Sequence, residues 1–193
     1  VAHQPDDLYL QALCLAEVIL RTFEHQGKLD VSSKPIPRLR PIVQSNQRMK
    51  IMSLDKFDGT TYIGTINFFK DQEDLKAKKA VGALIVYIGD KYIVDLFNQM
   101  GYPGLDESND EELQDAVGTF CNIIAGKFKL ALTQLGFIEL EMSHFSTYRD
   151  AVKDGIPFDY RQSRKYEITF EIDEGKALVV ELTMGPVPKV EAA

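Results

Sequence analysis

The amino-acid sequence predicts an α/β fold of the α+β kind, with long helices layered on an extended, largely antiparallel sheet. Two segments, 6–26 and about 110–135, carry broad apolar faces at helical spacing. Short apolar runs rich in β-branched residues, VGALIVYI, EITFEI and ALVVELTM, have the composition of strands. The resulting order, helix, strands, helix, helix, strands, is that of a layered α/β or α+β domain.

The chain of 193 residues and 21.8 kDa, 45% hydrophobic, has the size and apolar content of one domain with a sizeable core. We take 1–193 as that domain. Acidic residues outnumber basic ones 29 to 22, a net charge of -7, which argues against a nonspecific nucleic-acid surface and leaves room only for a local basic patch. Cys14 and Cys121 fall within apolar helical patterns and read as small buried residues, not as a disulfide or metal ligands. No run approaches the roughly 18 apolar residues of a spanning helix, and VAHQPDD has no basic-then-apolar leader. The expectation is a cytoplasmic protein with no membrane insertion.

Taken in order, DDLYLQALCLAEVILRTFEHQ (6–26) forms the first helix. Asp6 and Asp7 suit its positive start, and Gly27 is its stop. Residues 30–45 hold three prolines between 35 and 41 and predict an extended connection or edge strand. RMKIMSLDKFDGTTYIGTINFF predicts two strands joined near Asp58–Gly59. DQEDLKAKKA reads as a short surface turn or helix, VGALIVYI as a buried strand, and about Asp90–Met100 as a helix ended by GYPG. The acidic residues 106–112 lead into the long helix, about Asp110–Leu135. FIELEM opens on a strand and runs into a long polar connection across 141–165. EITFEI and ALVVELTM then form a hairpin with its turn near Asp173–Gly175, and residues 185–193 form a tail.

The long helix merits a reading face by face. At about 100° per residue, Leu113, Val117, Phe120, Ile124, Phe128, Ala131 and Leu135 form one stripe, with Ile123 and Leu130 at its edge. Asp115, Thr119 and Asn122 recur on the opposite side, with Gly118, Gly126 and Lys129 near them. A glycine inside a helix costs about 1 kcal/mol against alanine, so two of them are useful where another chain or side chain must approach closely. Two readings stand: a solvated face of indifferent polar residues, or a docking face that offers a carboxylate and a carboxamide to a partner. A carboxamide donates and accepts, which suits Asn122 to holding a water, but it is not a general base.

The segment DAVGTFCNIIAG resembles the motif helix of the CheC/CheX chemotaxis phosphatases. That motif is an acidic residue or Ser, three positions, Glu, two positions, Asn; here the frame falls on Asp115, Thr119 and Asn122, with Thr119 where the family has Glu. The opening helix, the predicted hairpin before residue 70, VGALIVYI, KYIVDLFNQMG and ALVVELTM extend the resemblance over about 6–184, nearest to CheX-like proteins. It implies a CheX-like sandwich of long helices on an antiparallel sheet, and a homodimer formed through the sheets. It also implies a CheY-like phosphorylated receiver domain as partner, whose own Mg²⁺ is the metal of the reaction; no cofactor belongs to this chain.

In the family, the Asn carboxamide orients the attacking water and the Glu pairs with a lysine of the receiver. The resemblance therefore makes Asn122 and Asp115 the catalytic candidates, while Thr119 in the motif frame and Gly118, Gly126 and Lys129, near it by spacing, are the docking residues. Thr119 carries no charge, so Asp115, one turn away, is the stand-in carboxylate; Asp110, Glu111 and Glu112 lie too far toward the N-terminus to share the centre of the face. The region SHFSTY also lacks the proline the family favours after the Asn. Three functions follow as alternatives: an aspartyl-phosphate phosphatase, a noncatalytic receiver-binding scaffold, and a protein related to the flagellar switch.

Other segments carry less chemistry. Glu17 takes the Asn position in the first helix and reads as solvated. His3, His25 and His144 stand without a nucleophile elbow or spaced carboxylate, and GALIVYIG lacks the glycine spacing and Lys-Ser/Thr ending of a phosphate loop. KAKK (76–79) reads as a solvated face, while Tyr148, Tyr160 and Arg161 either rim a partner site or anchor the long connection.

Overall fold

A computed structural model describes residues 6–27, 31, 33–173 and 175–190. His3 and part of the predicted hairpin turn, at residue 174, lie outside the described residues. Among these residues the elements are α1 (Asp7–Gly27), β1 (Arg38–Pro41), β2 (Gln44–Ser45), β3 (Arg48–Met52), β4 (Thr61–Phe69) and α2 (Gln72–Lys76). Then follow β5 (Gly82–Gly89), α3 (Asp90–Gln99), α4 (Asp110–Gln134), β6 (Glu141–Met142), β7 (Ser146–Arg149), β8 (Ala151–Ile156), β9 (Arg164–Ile172) and β10 (Gly175–Met184).

The main sheet runs β1-β9-β10-β5-β4-β6, with β7 also on β4, and every pairing in it is antiparallel. Alternation along the strands sends residues to its two faces. Leu178, Val180 and Leu182 face the helices, joining Ile19 and Phe23 of α1 and Val117, Phe120, Ile124 and Phe128 of α4. Ile63, Ile85, Tyr87 and Val179 face the other way, onto a small antiparallel sheet β2-β3-β8 that brings Met49, Ile51, Val152 and Ile156. The central strands are therefore covered on both sides, which is why VGALIVYI is a continuous apolar run. The Phe23 and Phe120 rings stack at 6.0 Å between α1 and α4.

The layered α/β fold with long helices on an antiparallel sheet is as expected, with three differences in detail. The strands before residue 70 are not a hairpin: β3 pairs with β2 and β8, while β4 pairs with β5, β6 and β7. Gly59 does turn the chain between them, at φ +93°, but it carries it from the small sheet to the large one. The polar connection 141–165 contains β6, β7 and β8, with Asp150 at φ +63° making the turn between the last two. Residues 185–190 are more than a tail: Val187 is buried, and Lys189 bridges Phe137 and pairs with Asp7 at 2.9 Å.

On the small-sheet side, the main sheet holds a charged cluster. Glu181, fully buried on β10, accepts from the Tyr87 hydroxyl at 2.8 Å and from Lys165 at 2.7 Å. The Lys56 ammonium lies between Glu181, at 3.0 Å, and Glu167. The Lys56–Glu181 contact is ionic and lacks hydrogen-bond alignment, leaving Glu181 Oε1 without a donor. Through Lys56, the connection 53–60 is tied to the sheet.

Candidate functional site

The start of α4 is built from local chemistry. The Asn109 side chain caps it by accepting from the Glu112 amide at 3.2 Å, and Asp110, Glu111 and Glu112 place negative charge at its positive end. Asp110 is not an exposed spare carboxylate. It accepts from the Tyr62 hydroxyl at 2.6 Å, from the Gln114 amide at 2.7 Å and from Arg149 at 3.2 Å, tying α4 to β4 and β7. The Tyr62 hydrogen bond, then that of Gln114, holds the Asp110 carboxyl below the usual carboxylate range. Burial first, and then the same bond, pushes the Tyr62 phenol up to about 12.

Two glycines let the helix sit where it does. A Cβ on Gly64 of β4 would meet Cys121 Cβ at 3.0 Å and the Val117 carbonyl at 3.2 Å, so α4 lies directly on that strand. A Cβ on Gly118 would overlap the Phe145 ring and come within 2.9 Å of Thr147 Cγ2. Expected among the docking residues, Gly118 is instead buried beneath the chain's own Phe145. Gly126 differs: a Cβ there would meet nothing within 4 Å.

The outer face of α4 carries Asp115, Thr119 and Asn122, all exposed and spaced by four and three residues along one side of the helix. Among the described residues, none of the three side chains makes a hydrogen bond or ion pair within the chain. Lys129, lower on the helix, leans to Glu139 at 3.4 Å. The buried stripe beneath is Leu113, Val117, Phe120, Ile124, Phe128 and Leu132, widened by Cys121 and Ala125. Ala131 is half-buried, and Leu130 and Leu135 are exposed, because the stripe drifts around the helix by its last turn and Leu132 takes the inner position. The Cys121 thiol is fully buried and its pKa pushed up by desolvation; the half-buried Cys14 thiol rises to about 11 for the same reason first. Both cysteines are free.

Of the acidic residues along α4, Asp110 is occupied, whereas Asp115 is exposed on the same side of the helix as Asn122. On α1, Glu17 is exposed and pairs with Arg21 at 2.8 Å. The clamp formed by Phe145, Thr147 and Arg149 had no sequence signal, since an isolated aromatic in a polar segment looks like any loop residue. Among the described residues there is no group of three or more His, Cys, Asp or Glu placed to hold a metal ion, and no helix long and apolar enough to cross a membrane.

An exposed carboxylate and carboxamide stand on a clamped helix over an antiparallel sheet, and that fold is like the one found in CheC-, CheX- and FliY-type structures. The family profile described as chemotaxis phosphatase CheX matches residues 76–149, which include all of α4. No curated protein matches the sequence. Among solved structures, a CheC-like superfamily protein from Shewanella sp. PV-4 is 20% identical, with 89% of this chain and 95% of that one covered at a TM-score of 0.59. The CheX–CheY–BeF3–Mg²⁺ complex from Borrelia burgdorferi matches at 13% identity, 91% and 98% coverage and a TM-score of 0.52. FliY from Thermotoga maritima matches at 13% identity, 95% and 92% coverage and a TM-score of 0.56. These likenesses establish the fold, which chemotaxis and flagellar-switch proteins share.

Proposed function

We propose that the outer face of α4 docks a phosphorylated, CheY-like receiver domain and promotes hydrolysis of its aspartyl phosphate. The observation that carries this reading is the exposed Asp115–Thr119–Asn122 face, without partners of its own, on a helix fixed by Asp110 at its start and Phe145 along its flank. A rigid helix with free polar groups holds a water in register without reorganising, and positioning is where most phosphoryl-transfer catalysis lies. Asn122 orients the water through its carboxamide. Water oxygen attacks phosphorus, the bond from phosphorus to the receiver's aspartyl oxygen breaks, that carboxylate leaves with the electron pair, and the water proton passes to the phosphate product or solvent. The metal of the reaction would be the receiver's own Mg²⁺, which would supply charge neutralisation at the phosphoryl oxygens. Asp115 faces the receiver's active-site lysine in place of the absent Glu.

Support comes from three sides: the match of the CheX profile across α4, the likeness in fold to a CheX found in complex with CheY, and Gly126, whose missing side chain serves no contact within the chain and leaves room for a partner. The same reading extends to a homodimer through the sheet, where β1 is an edge strand and Leu39 on it, with Ile36 and Val43 beside it, is exposed. Thr119 favours a second reading, a receiver-binding scaffold without turnover, because a hydroxyl cannot supply the carboxylate charge. Adding purified protein to a phosphorylated receiver with Mg²⁺, as wild type and as Thr119→Glu, separates the two. Release above the receiver's own rate, raised further by Thr119→Glu, is expected; binding without release in either form would assign the scaffold role.

A further inference from the structure

Lys78 and Lys79, the end of a run that the sequence alone presents as solvated, line a cavity of about 630 Å³ to which α4 contributes no residue. Its wall comes from the connection between β4 and β5, the turn between β2 and β3, and the connection between β8 and β9. Five cations surround it, Arg48, Lys70, Lys78, Lys79 and Arg161, against two carboxylates, Asp74 and Asp159. That is a concentrated positive site on a chain of net charge -7. Among the described residues, Lys70, Lys78 and Lys79 form no ion pair, whereas Lys56, Lys129, Lys165 and Lys189 each do.

The framework around those lysines is fixed. Arg48 donates to the carbonyls of Asp154 at 2.7 Å and Gly155 at 2.8 Å, and the Asn67 amide donates to the Pro157 carbonyl at 2.7 Å. Asp159 is buried and held by two hydrogen bonds from Arg161, at 2.8 and 2.7 Å. Lys78 has φ +56°, in the left-handed region that non-glycine residues seldom occupy; its amide is held by the Leu75 carbonyl at 3.1 Å, and that of Lys79 by Asp74 at 2.9 Å. Tyr160 lines the same cavity with its ring half-exposed, beside Pro157 and Phe158.

We propose that this cavity binds a nucleoside polyphosphate, with its phosphates on Lys70, Lys78 and Lys79 and its base against Tyr160. Several unpaired ammonium groups fit several phosphate charges, and an exposed aromatic ring beside them gives a base a stacking surface. The volume is in the range of small-molecule sites, roughly 300–1,000 Å³. None of these residues lies on the α4 face, so the proposal stands apart from the receiver reading.

Calorimetric titration of the full chain with ATP, pyrophosphate and adenosine tests it. ATP should bind at sub-millimolar concentration, pyrophosphate more weakly and adenosine not measurably. The double variant Lys78→Glu, Lys79→Glu, at two exposed positions, should weaken ATP by at least ~10-fold, since it removes two charge-assisted contacts and adds repulsion. Tyr160→Ala should weaken ATP by about tenfold and leave pyrophosphate unchanged. Absence of ATP binding at millimolar concentration, or equal binding by wild type and the double lysine variant, would overturn the proposal. Tighter binding of a single-stranded RNA oligonucleotide than of ATP would also overturn it, by reassigning the patch to nucleic acid.

Discussion

Replacing each of the two α4 glycines by alanine should move stability in opposite directions, although the two substitutions are chemically identical. Alanine gains about 1 kcal/mol over glycine in a helix interior. At Gly126 nothing lies within 4 Å of the new methyl, so the gain is kept and the melting temperature rises by roughly 2–4 °C. At Gly118 the methyl overlaps the Phe145 ring and meets Thr147 Cγ2 at 2.9 Å. Overpacking of this kind costs about 1–3 kcal/mol, and a displaced phenyl ring forfeits up to about 1.5–3 kcal/mol of burial. The net for Gly118→Ala is a loss of about 1–3 kcal/mol and a fall of roughly 3–8 °C. Urea unfolding of wild type and both variants gives the free energies, and Phe145→Ala supplies a control: with the ring gone, Gly118→Ala should cost much less. A Gly118→Ala protein as stable as wild type would show that Phe145 does not clamp the helix.

The remaining predictions concern the charges and the docking face. Lys56→Met should destabilise by about 3 kcal/mol or more, because removing one partner strands Glu181 in the sheet; unfolding equal to wild type would show that Lys165 and Tyr87 suffice. Asp110, with its pKa held low by Tyr62, contributes stability above the ordinary carboxylate pKa of about 3.9 and loses it as pH falls through the lower folded value. Asp110→Asn should therefore be less stable at neutral pH and lose less on acidification, with Tyr62→Phe shifted the same way; parallel pH profiles for variant and wild type would contradict the anchor. Gly126→Ala, although more stable, should bind a phosphorylated receiver more weakly, and titration calorimetry with undiminished affinity would remove Gly126 from the docking surface.

The layered fold was legible because its signals are strong where burial is strong. The stripe of α4 from Leu113 to Phe128 and the continuous apolar run of β5 follow directly from what each buries. The small sheet was not legible. β8 presents mostly polar residues to solvent, with Val152 and Ile156 among the few buried ones, and so lacks apolar alternation. The pairing of β3 with β8 spans about a hundred residues and leaves no local trace, whereas Asp58–Gly59 looks like a hairpin turn in any context. On α4, spacing placed Asp115, Thr119 and Asn122 on one face, but Gly118 was assigned by that spacing alone. Its burial depends on Phe145, which arrives from a different element.

The most direct test is phosphate release from a phosphorylated CheY-like receiver with Mg²⁺, comparing the wild-type chain with Asn122→Ala while binding is followed in parallel. Asn122 is exposed and its side chain makes no hydrogen bond among the described residues, so its loss should leave the fold intact. Wild type should accelerate release, and Asn122→Ala should lose about 100-fold or more of that acceleration, the scale of a misplaced nucleophile. Equal acceleration by both proteins would contradict the assignment of Asn122 as the residue that holds the attacking water.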